Sequence, residues 1–197
     1  MRKKRFAENT GGRYDPSADS WVATGTASAP SGRYQHTAVW TGDKMVVWGG
    51  WNDSVCSSDG ACYTPGSDTW TPMPTDIVPL SRYGHMVVWT GTEMIVWGGR
   101  AASGAYLGDG ARYKAADNTW RPVSSGAVNA PPPTRYVSQG IWTGVEMIIW
   151  DGQTGARYNP AANSWQTMST LGAPSSRSYY SAVWTGSEMI IWGGQGG

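Results

Sequence analysis

Four arginines recur at one position of an internal repeat, and they are the residues best suited to binding an anionic ligand. They are Arg33, Arg82, Arg135 and Arg177. A planar guanidinium donates two parallel hydrogen bonds, which fits a carboxylate or a sulfate group. An arginine that every repeat needs can equally hold loop carbonyls or an acidic neighbour in place. The sequence leaves both interpretations open, and we favour the structural one.

Aromatic residues accompany the arginines and supply rings that stack on sugars or on peptide side chains. The candidates are Tyr34, Tyr83 and Tyr136, which each follow an arginine, together with Trp51 and Tyr106 in loops. Packing of these rings between repeats or beneath loops is the competing interpretation, and we favour it. We treat the arginines and these aromatic residues together as candidate ligand-binding residues.

Groups that could carry out catalysis or bind a metal are sparse. His36 and His85 occupy the same position in neighbouring repeats, where the other two repeats have Ser138 and Tyr180. Two histidines without converging cysteines or carboxylates do not make up a metal-ligand set. The sequence also lacks a nucleotide-binding fingerprint and a nucleophile–histidine arrangement. We therefore predict no catalytic residue, no metal and no cofactor.

Cys56 and Cys62 are the only cysteines, and they enclose a short loop rich in serine, aspartate and glycine. A close pair of this kind is typical of a disulfide in an exported protein. We predict that disulfide and, from it, an extracellular or periplasmic location. The alternative is two free thiols in a cytosolic protein.

The charge distribution argues against nucleic acid as a partner. Four of the 15 basic residues form the run Arg2 to Arg5, which leaves 11 against 14 acidic residues. A nucleic-acid-binding domain carries a basic stripe on its folded surface. No segment approaches the roughly 18 apolar residues of a membrane span, so we expect none. We interpret residues 1–11 as a basic, flexible tail and residues 12–197 as one domain.

A repeat of about 50 residues organises the whole chain. The string Trp-Thr-Gly begins at Trp40, Trp89, Trp142 and Trp184. Each copy is followed by an apolar run that starts with methionine: MVVWGG, MIVWGG, MIIWDG and MIIWGG. A second unit, such as RYDPSADSW, ends at Trp21, Trp70, Trp120 and Trp165. Twelve of the 13 tryptophans fall on these three recurring positions, so the repeat is not a chance pattern.

Each repeat predicts four short antiparallel strands, which we call a to d. A Thr-Gly turn joins a to b. Strand b is apolar at every position, which predicts that both of its faces are covered. Strand c carries the repeated tyrosine and strand d the last tryptophan. A single four-stranded blade cannot bury both faces alone, so the copies must stack, and radial stacking produces a propeller.

The repeat resembles the kelch motif. Arg33-Tyr34-Gln35-His36 and Arg82-Tyr83-Gly84-His85 match it fully, followed by Trp-Thr-Gly, a double glycine, a tyrosine and a tryptophan. The third and fourth copies lack the histidine. The resemblance covers residues 12–194 and implies a kelch-type β-propeller, with strand a along the central channel and strand d outermost. Some proteins of this kind are copper oxidases with Tyr, Cys and His ligands, and others are sugar isomerases.

The chain opens on strands c and d and closes on strands a and b. These parts are residues 12–21 and 177–194. The count gives an all-β protein of four blades, each of four antiparallel strands, with one blade split between the N- and C-termini. Three architectures follow: a four-bladed ring from one chain, an eight-bladed ring from a homodimer, or a stretch of a longer repeat protein.

Function is expected at the loops that vary between repeats. The b–c and d–a connections share one face of a propeller, and here they include residues 51–61, 100–110 and 124–134. Variable loops on a rigid scaffold are the usual place for binding. We therefore predict a non-catalytic interaction module that recognises a protein or a glycan through this face. The alternatives are a carbohydrate-acting enzyme, isomerase or oxidase-like, with its site at the channel mouth, and an architectural piece of a larger protein.

Overall fold

The computed structural model describes residues 7–76, 79–124 and 139–196 of the chain. Strands and turns make up the regular structure of these ranges, so the predicted all-β class is confirmed. Across the same ranges, no helix has the length and apolar character that crossing a membrane requires.

Three antiparallel sheets of four strands form complete blades in the described part of the chain, between two half-blades. The N-terminal hairpin consists of β1 (Gly12–Asp15) and β2 (Ser20–Ala23). Blade 1 consists of β3 (Thr37–Trp40), β4 (Met45–Trp48), β5 (Gly60–Thr64) and β6 (Thr69–Pro72). Blade 2 consists of β7 (Met86–Trp89), β8 (Glu93–Trp97), β9 (Gly110–Lys114) and β10 (Thr119–Pro122). Blade 3 consists of β11 (Gln139–Trp142), β12 (Met147–Trp150), β13 (Gly155–Asn159) and β14 (Ser164–Thr167).

The last strands are β15 (Arg177–Ser178), β16 (Ser181–Trp184), β17 (Met189–Trp192) and β18 (Gln195–Gly196). We call β16 and β17, which pair with each other, the C-terminal hairpin; β15 pairs with β18. In each complete blade the strands are hydrogen-bonded in sequence order, which is the a-to-d order predicted from the repeat.

The turn between strands c and d is the same in all four copies. In blade 2 the Tyr113 hydroxyl donates to Asn118 Oδ1 at 2.6 Å, and the Tyr113 ring packs on Trp120 with centroids 5.1 Å apart. Asn118 has a φ of 52°, a left-handed conformation that asparagine and aspartate adopt more readily than other non-glycine residues. The other copies use Asp19, Asp68 and Asn163, each with a positive φ and each accepting from its tyrosine.

The second strand of a complete blade is buried on both faces, as its continuous apolar sequence predicts. In β8, Met94 and Val96 pack toward blade 1, whereas Ile95 and Trp97 pack toward blade 3. All four side chains are fully buried. The hydrophobic core therefore consists of separate clusters between neighbouring blades.

The double glycine after strand b allows a neighbouring histidine to approach the backbone. A Cβ at Gly99, where φ is 91°, would stand 2.8 Å from the Cβ of His85. A Cβ at Gly49, where φ is 70°, would stand 2.6 Å from Cε1 of the same ring. Both positions combine a left-handed backbone with a close contact, so glycine is required.

The blades form a row whose inner strands lie side by side in the order β3, β7, β11 and β16. The N-terminal and C-terminal hairpins belong to separate sheets at the two ends of this row. The structure thus contains both halves of the blade that the sequence splits between the termini. That the two halves join into one blade remains a prediction, as does the boundary between the tail and the domain.

Candidate functional site

The repeated arginine of blade 2 is buried beneath the loop face, where the b–c and d–a connections lie. The side chain of Arg82 is fully buried, and Nη1 donates to the carbonyls of Gly98 and Asp109, both at 2.9 Å. Nη2 donates to both carboxylate oxygens of Asp109 at 3.0 Å. Because Gly98 ends strand b and Asp109 precedes strand c, Arg82 fixes the two ends of the b–c connection.

The arginine of blade 1 makes the same contacts. Arg33 Nη1 donates to the Gly49 carbonyl at 2.9 Å and to the Asp59 carboxylate at 3.0 Å. Arg177 is more exposed and donates to the Gly193 carbonyl at 3.0 Å. In these three repeats the guanidinium bonds the protein itself, as the structural interpretation expects. The remaining candidates of this set, Arg135 and Tyr136, lie outside the described residues.

Above the arginines, backbone bridges hold the residues that follow the double glycines. In blade 1 the amides of Tyr34 and Trp51 donate to each other's carbonyls at 2.8 and 2.9 Å. In blade 2 the amides of Tyr83 and Arg100 do the same at 3.0 and 2.9 Å. A further bridge links Arg100 to Tyr106. These side chains are therefore presented by paired backbone.

The same residues form a continuous row across the two blades, which we call the aromatic row: Tyr34, Trp51, Tyr83, Arg100 and Tyr106. The Trp51 and Tyr83 rings pack across the boundary between the blades, with centroids 5.6 Å apart. The Arg100 guanidinium lies 4.8 Å from the centre of the Tyr106 ring, which is a cation–π contact. Four of the candidate aromatic residues are thus brought together.

The aromatic row reaches the surface, with a negative charge beside one end and a positive charge at the other. Tyr34 and Tyr106 are 38% and 42% exposed. The Tyr34 hydroxyl donates to Asp53 Oδ1 at 2.5 Å, so a carboxylate lies at the blade 1 end and a guanidinium at the blade 2 end. Val55 and Leu80, on the same connections, are exposed apolar side chains. This surface combines flat rings, apolar patches and two charges.

Sequence reasoning missed Arg100. Its position, directly after the double glycine, is the one that Trp51 occupies in the preceding repeat. Aligning the repeats at that position would have identified it, because the residue bridged to the repeated tyrosine is the one that varies. Blade 3 is simpler here: its b–c connection is only a turn in which Asp151 Oδ1 accepts from the amides of Gln153 and Thr154.

His85 lies below the loop face and is not charged at neutral pH, whereas His36 is exposed. His85 Nε2 is 2.7 Å from Thr37 Oγ1 of the preceding blade, and its ring packs edge-on against Trp48. Burial, with smaller effects of Arg82 and His36, lowers the pKa of His85 to about 3. Burial and then the charge of Arg33 lower the pKa of His36. In the described ranges, no three His, Cys, Asp or Glu side chains come together as a possible metal site.

The structure differs from the sequence analysis at the cysteines, because Cys56 and Cys62 are both free thiols. Strand alternation in β5 turns Cys62 into the interface between blades 1 and 2, where its Sγ is 3.3 Å from the Tyr113 hydroxyl. Cys56 lies in the loop, bridged to Trp51. Burial raises the pKa of both thiols. The predicted disulfide is therefore wrong for this structure, and the extracellular or periplasmic location remains untested.

One comparison with known proteins places these features in a family. A family model described as the KLHDC2/KLHL20/DRC7 Kelch-repeats domain matches residues 35–161. The matched segment includes the residues of the aromatic row except Tyr34, together with most of the three complete blades. No curated protein matches the chain.

Proposed function

Because the chain belongs to the kelch-repeat family, we propose that it is a non-catalytic interaction module that binds a protein ligand through the aromatic row. The observation that supports this most directly is the row itself, in which tyrosine, tryptophan and arginine side chains share one partly exposed surface. These are the residue types that dominate the binding energy of protein interfaces.

The backbone of the aromatic row is ordered before any ligand arrives. Reciprocal backbone hydrogen bonds hold Tyr34 to Trp51 and Tyr83 to Arg100. Below them, Arg33 and Arg82 anchor the same connections. A preordered surface loses less conformational entropy on binding, which favours affinity. The opposite charges at the two ends would orient a peptide that carries a basic and an acidic residue.

A peptide library displayed on phage and selected on the purified protein tests this proposal. Selected peptides should bind Trp51→Ala at least tenfold more weakly, since truncating a central aromatic residue costs about 2 kcal/mol or more. Val145→Ala is the control, because Val145 is exposed in the a–b turn of blade 3, away from the loop face. The proposal fails if no peptide is enriched, or if both variants bind equally.

A glycan is the other ligand that stacked rings would accept. Binding to a glycan array that Trp51→Ala abolishes, without peptide enrichment, would replace the protein ligand by a carbohydrate. Turnover of a bound sugar would favour the enzyme alternative.

We also propose that two copies of the chain complete an eight-bladed ring. Each complete blade needs a neighbour on both sides to bury its apolar faces. This part of the proposal concerns the ends of the row of blades and is independent of the ligand.

A further inference from the structure

The N-terminal hairpin packs on blade 1 in the way that the outer half of a blade packs on its neighbour elsewhere. Arg13 Nη1 donates to the Pro65 carbonyl at 2.7 Å, and the corresponding Arg112 Nη1 of blade 2 donates to the Pro160 carbonyl of blade 3 at 2.6 Å. The hydrogen bonds of the indoles repeat as well. Trp70 Nε1 donates to the Gly25 carbonyl and Trp165 Nε1 donates to the Ser124 carbonyl, both at 2.8 Å. The hairpin therefore occupies the place of strands c and d of a preceding blade.

The C-terminal hairpin occupies the place of strands a and b of a following blade. The Arg177 amide donates to the Gly152 carbonyl of blade 3 at 3.0 Å, as the Arg82 amide donates to the Ser57 carbonyl of blade 1 at 3.2 Å. The Ala182 amide of β16 donates to Gln139 Oε1 of β11 at 2.8 Å. Each end of the row thus carries a complementary half of one blade.

Both half-blades expose tryptophans whose counterparts between two complete blades are buried. Trp192 is 79% exposed and Trp21 is 71% exposed. Among the residues at the corresponding positions, Trp48, Trp97 and Trp150 for Trp192, and Trp120 and Trp165 for Trp21, are buried. Trp70 of blade 1 also corresponds to Trp21 but is only partly buried, because it lines a cavity beside the N-terminal hairpin. Exposed apolar surface of this kind marks an interaction site.

Two open cavities lie where the missing halves would pack. One of about 280 Å³ separates Gly12 of β1 from Met45, Val47 and Trp70 of blade 1. It lies where the inner half of a blade, strands a and b, would pack. The other, of about 220 Å³, is lined by Trp150, Met168, Met189 and Ile191. It lies where the outer half of a blade, strands c and d, would pack.

We propose that β17 of one copy of this chain pairs with β1 of a second copy, so that the two hairpins form one shared blade. The indoles of Trp192 and Trp21 then fill the two cavities. Tryptophan pairs across the boundaries of complete blades support this placement. The ring centroids of Trp48 and Trp120 are 5.4 Å apart, and those of Trp97 and Trp165 are 4.5 Å apart. The inference rests on the two-copy ring proposed above and not on the ligand.

A second copy fits these edges better than the chain's own opposite end. The half-blades lie in separate sheets at the two ends of the row. Bringing them together within one chain would rotate every boundary between blades, and the fully buried clusters at those boundaries are close-packed and resist such shifts. Pairing with a second copy joins these edges between chains and gives eight blades, within the usual range for propellers.

The complete blades supply the register of the shared blade. In blade 3, Ile148 of strand b lies opposite Arg157 of strand c. The corresponding residues are Ile190 of β17 and Arg13 of β1. The shared blade therefore places Ile190 of one copy opposite Arg13 of the other.

Engineered cysteines test both the register and the partner. In a Cys56→Ser/Cys62→Ser background, Ile190→Cys and Arg13→Cys are made as separate single variants. Each variant alone has no cysteine opposite its own, whereas a mixture of the two, unfolded and refolded together, should give a covalent dimer on oxidation. Ile190→Cys mixed with Val22→Cys is the matched control, because Val22 lies on the outer strand opposite Arg13.

The outcomes separate the possible partners. A covalent dimer that forms in the first mixture, and not in the control or in either variant alone, supports the proposal. No dimer in that mixture overturns it. An intramolecular cross-link in a chain that carries both Ile190→Cys and Arg13→Cys also overturns it, since that result shows closure within one chain. Peptide binding by the same variants is measured separately, so a failure of the ligand proposal would not be confused with a failure of pairing.

Trp192→Ala provides a second measurement by light scattering after size-exclusion chromatography. The wild type should have the mass of two chains, and Trp192→Ala should dissociate at concentrations at least about a hundredfold higher, because removing a buried indole costs 3 kcal/mol or more. Val145→Ala should retain the mass of two chains. A wild type of one chain, or a variant that dimerises as well as the wild type, would overturn the proposal.

Discussion

Two arginines of blade 2 show how differently the loop face uses one side chain. Arg82 is buried and hydrogen-bonded to Gly98 and Asp109. Arg33 and His85 are buried at the same level, and we call these three residues the buried layer. Arg100 lies above it in the aromatic row, against Tyr106. Arg33 and Arg82 repeat this layer in blades 1 and 2, whereas the aromatic row changes from Trp51 to Arg100 at the position after the double glycine. The scaffold is therefore conserved between repeats beneath a surface that varies.

The largest difference between the two regions should appear on removal of Arg82. Arg82→Ala leaves the Gly98 and Asp109 carbonyls without their donor and opens a cavity, so we expect the free energy of unfolding to fall by about 3 kcal/mol. Urea unfolding followed by circular dichroism measures this. Arg82→Lys keeps the charge without the planar fork and should recover only part of the loss. A fall below 1 kcal/mol for Arg82→Ala would contradict a structural role.

The second difference is a dependence of stability on pH that comes from the buried layer. The pKa of His85 is lowered to about 3 in the folded protein from 6.5, so below pH 6.5 the unfolded chain binds a proton that the native state does not. The stability from neutral His85 is complete above pH 6.5 and is lost as the pH falls. Below pH 6.5 we expect the free energy of unfolding to fall by up to about 1.4 kcal/mol for each unit by which the pH is lowered.

Urea unfolding at pH 7.5, 6.0 and 5.0 measures this slope. His36 also has a lowered pKa, and carboxylates contribute to acid unfolding, so the slope is compared between wild type, His85→Gln and His36→Gln. The slope should fall more in His85→Gln than in His36→Gln. Equal slopes in all three proteins would show that His85 does not titrate as its burial requires.

The smallest effect on stability is expected in the aromatic row. Arg100→Ala should change the free energy of unfolding by no more than about 0.5 kcal/mol, as is usual for surface positions. The same variant should bind the selected peptides about tenfold more weakly, because arginine is a frequent interface hot spot. A large loss of stability with unchanged binding would place Arg100 in the scaffold and remove the contrast with Arg82.

The blades could be predicted from the sequence because the physical constraints repeat. Strand b is apolar at every position and is covered on both faces, and the tyrosine of strand c recurs with an Asp or Asn in the turn that follows. These constraints are local, so the periodicity shows them. The directions of individual side chains are not local. Cys62 points to Tyr113 of the next blade, and no spacing within its own loop indicates that contact.

The candidate site was predicted in part for the same reason. Trp51, Tyr83 and Tyr106, chosen as candidates from their loops and repeat positions, lie together in the structure. Arg33 and Arg82 share the predicted face but lie one layer deeper, because a guanidinium long enough to reach the ends of the b–c connection bonds there before it reaches solvent. Arg100 was missed because it is part of no repeated motif.

The separate clusters between blades have a consequence for how such a chain can evolve. Arg13 and Arg112 make equivalent bonds to the next blade, so a unit that carries this arginine can adjoin any unit with the corresponding proline carbonyl. Unequal recombination that joins a unit with this arginine to a unit with this proline would therefore add or remove whole units without creating an unfamiliar interface. The gene encoding such a protein can change the number of its repeats in single events, while point mutations diversify the loops.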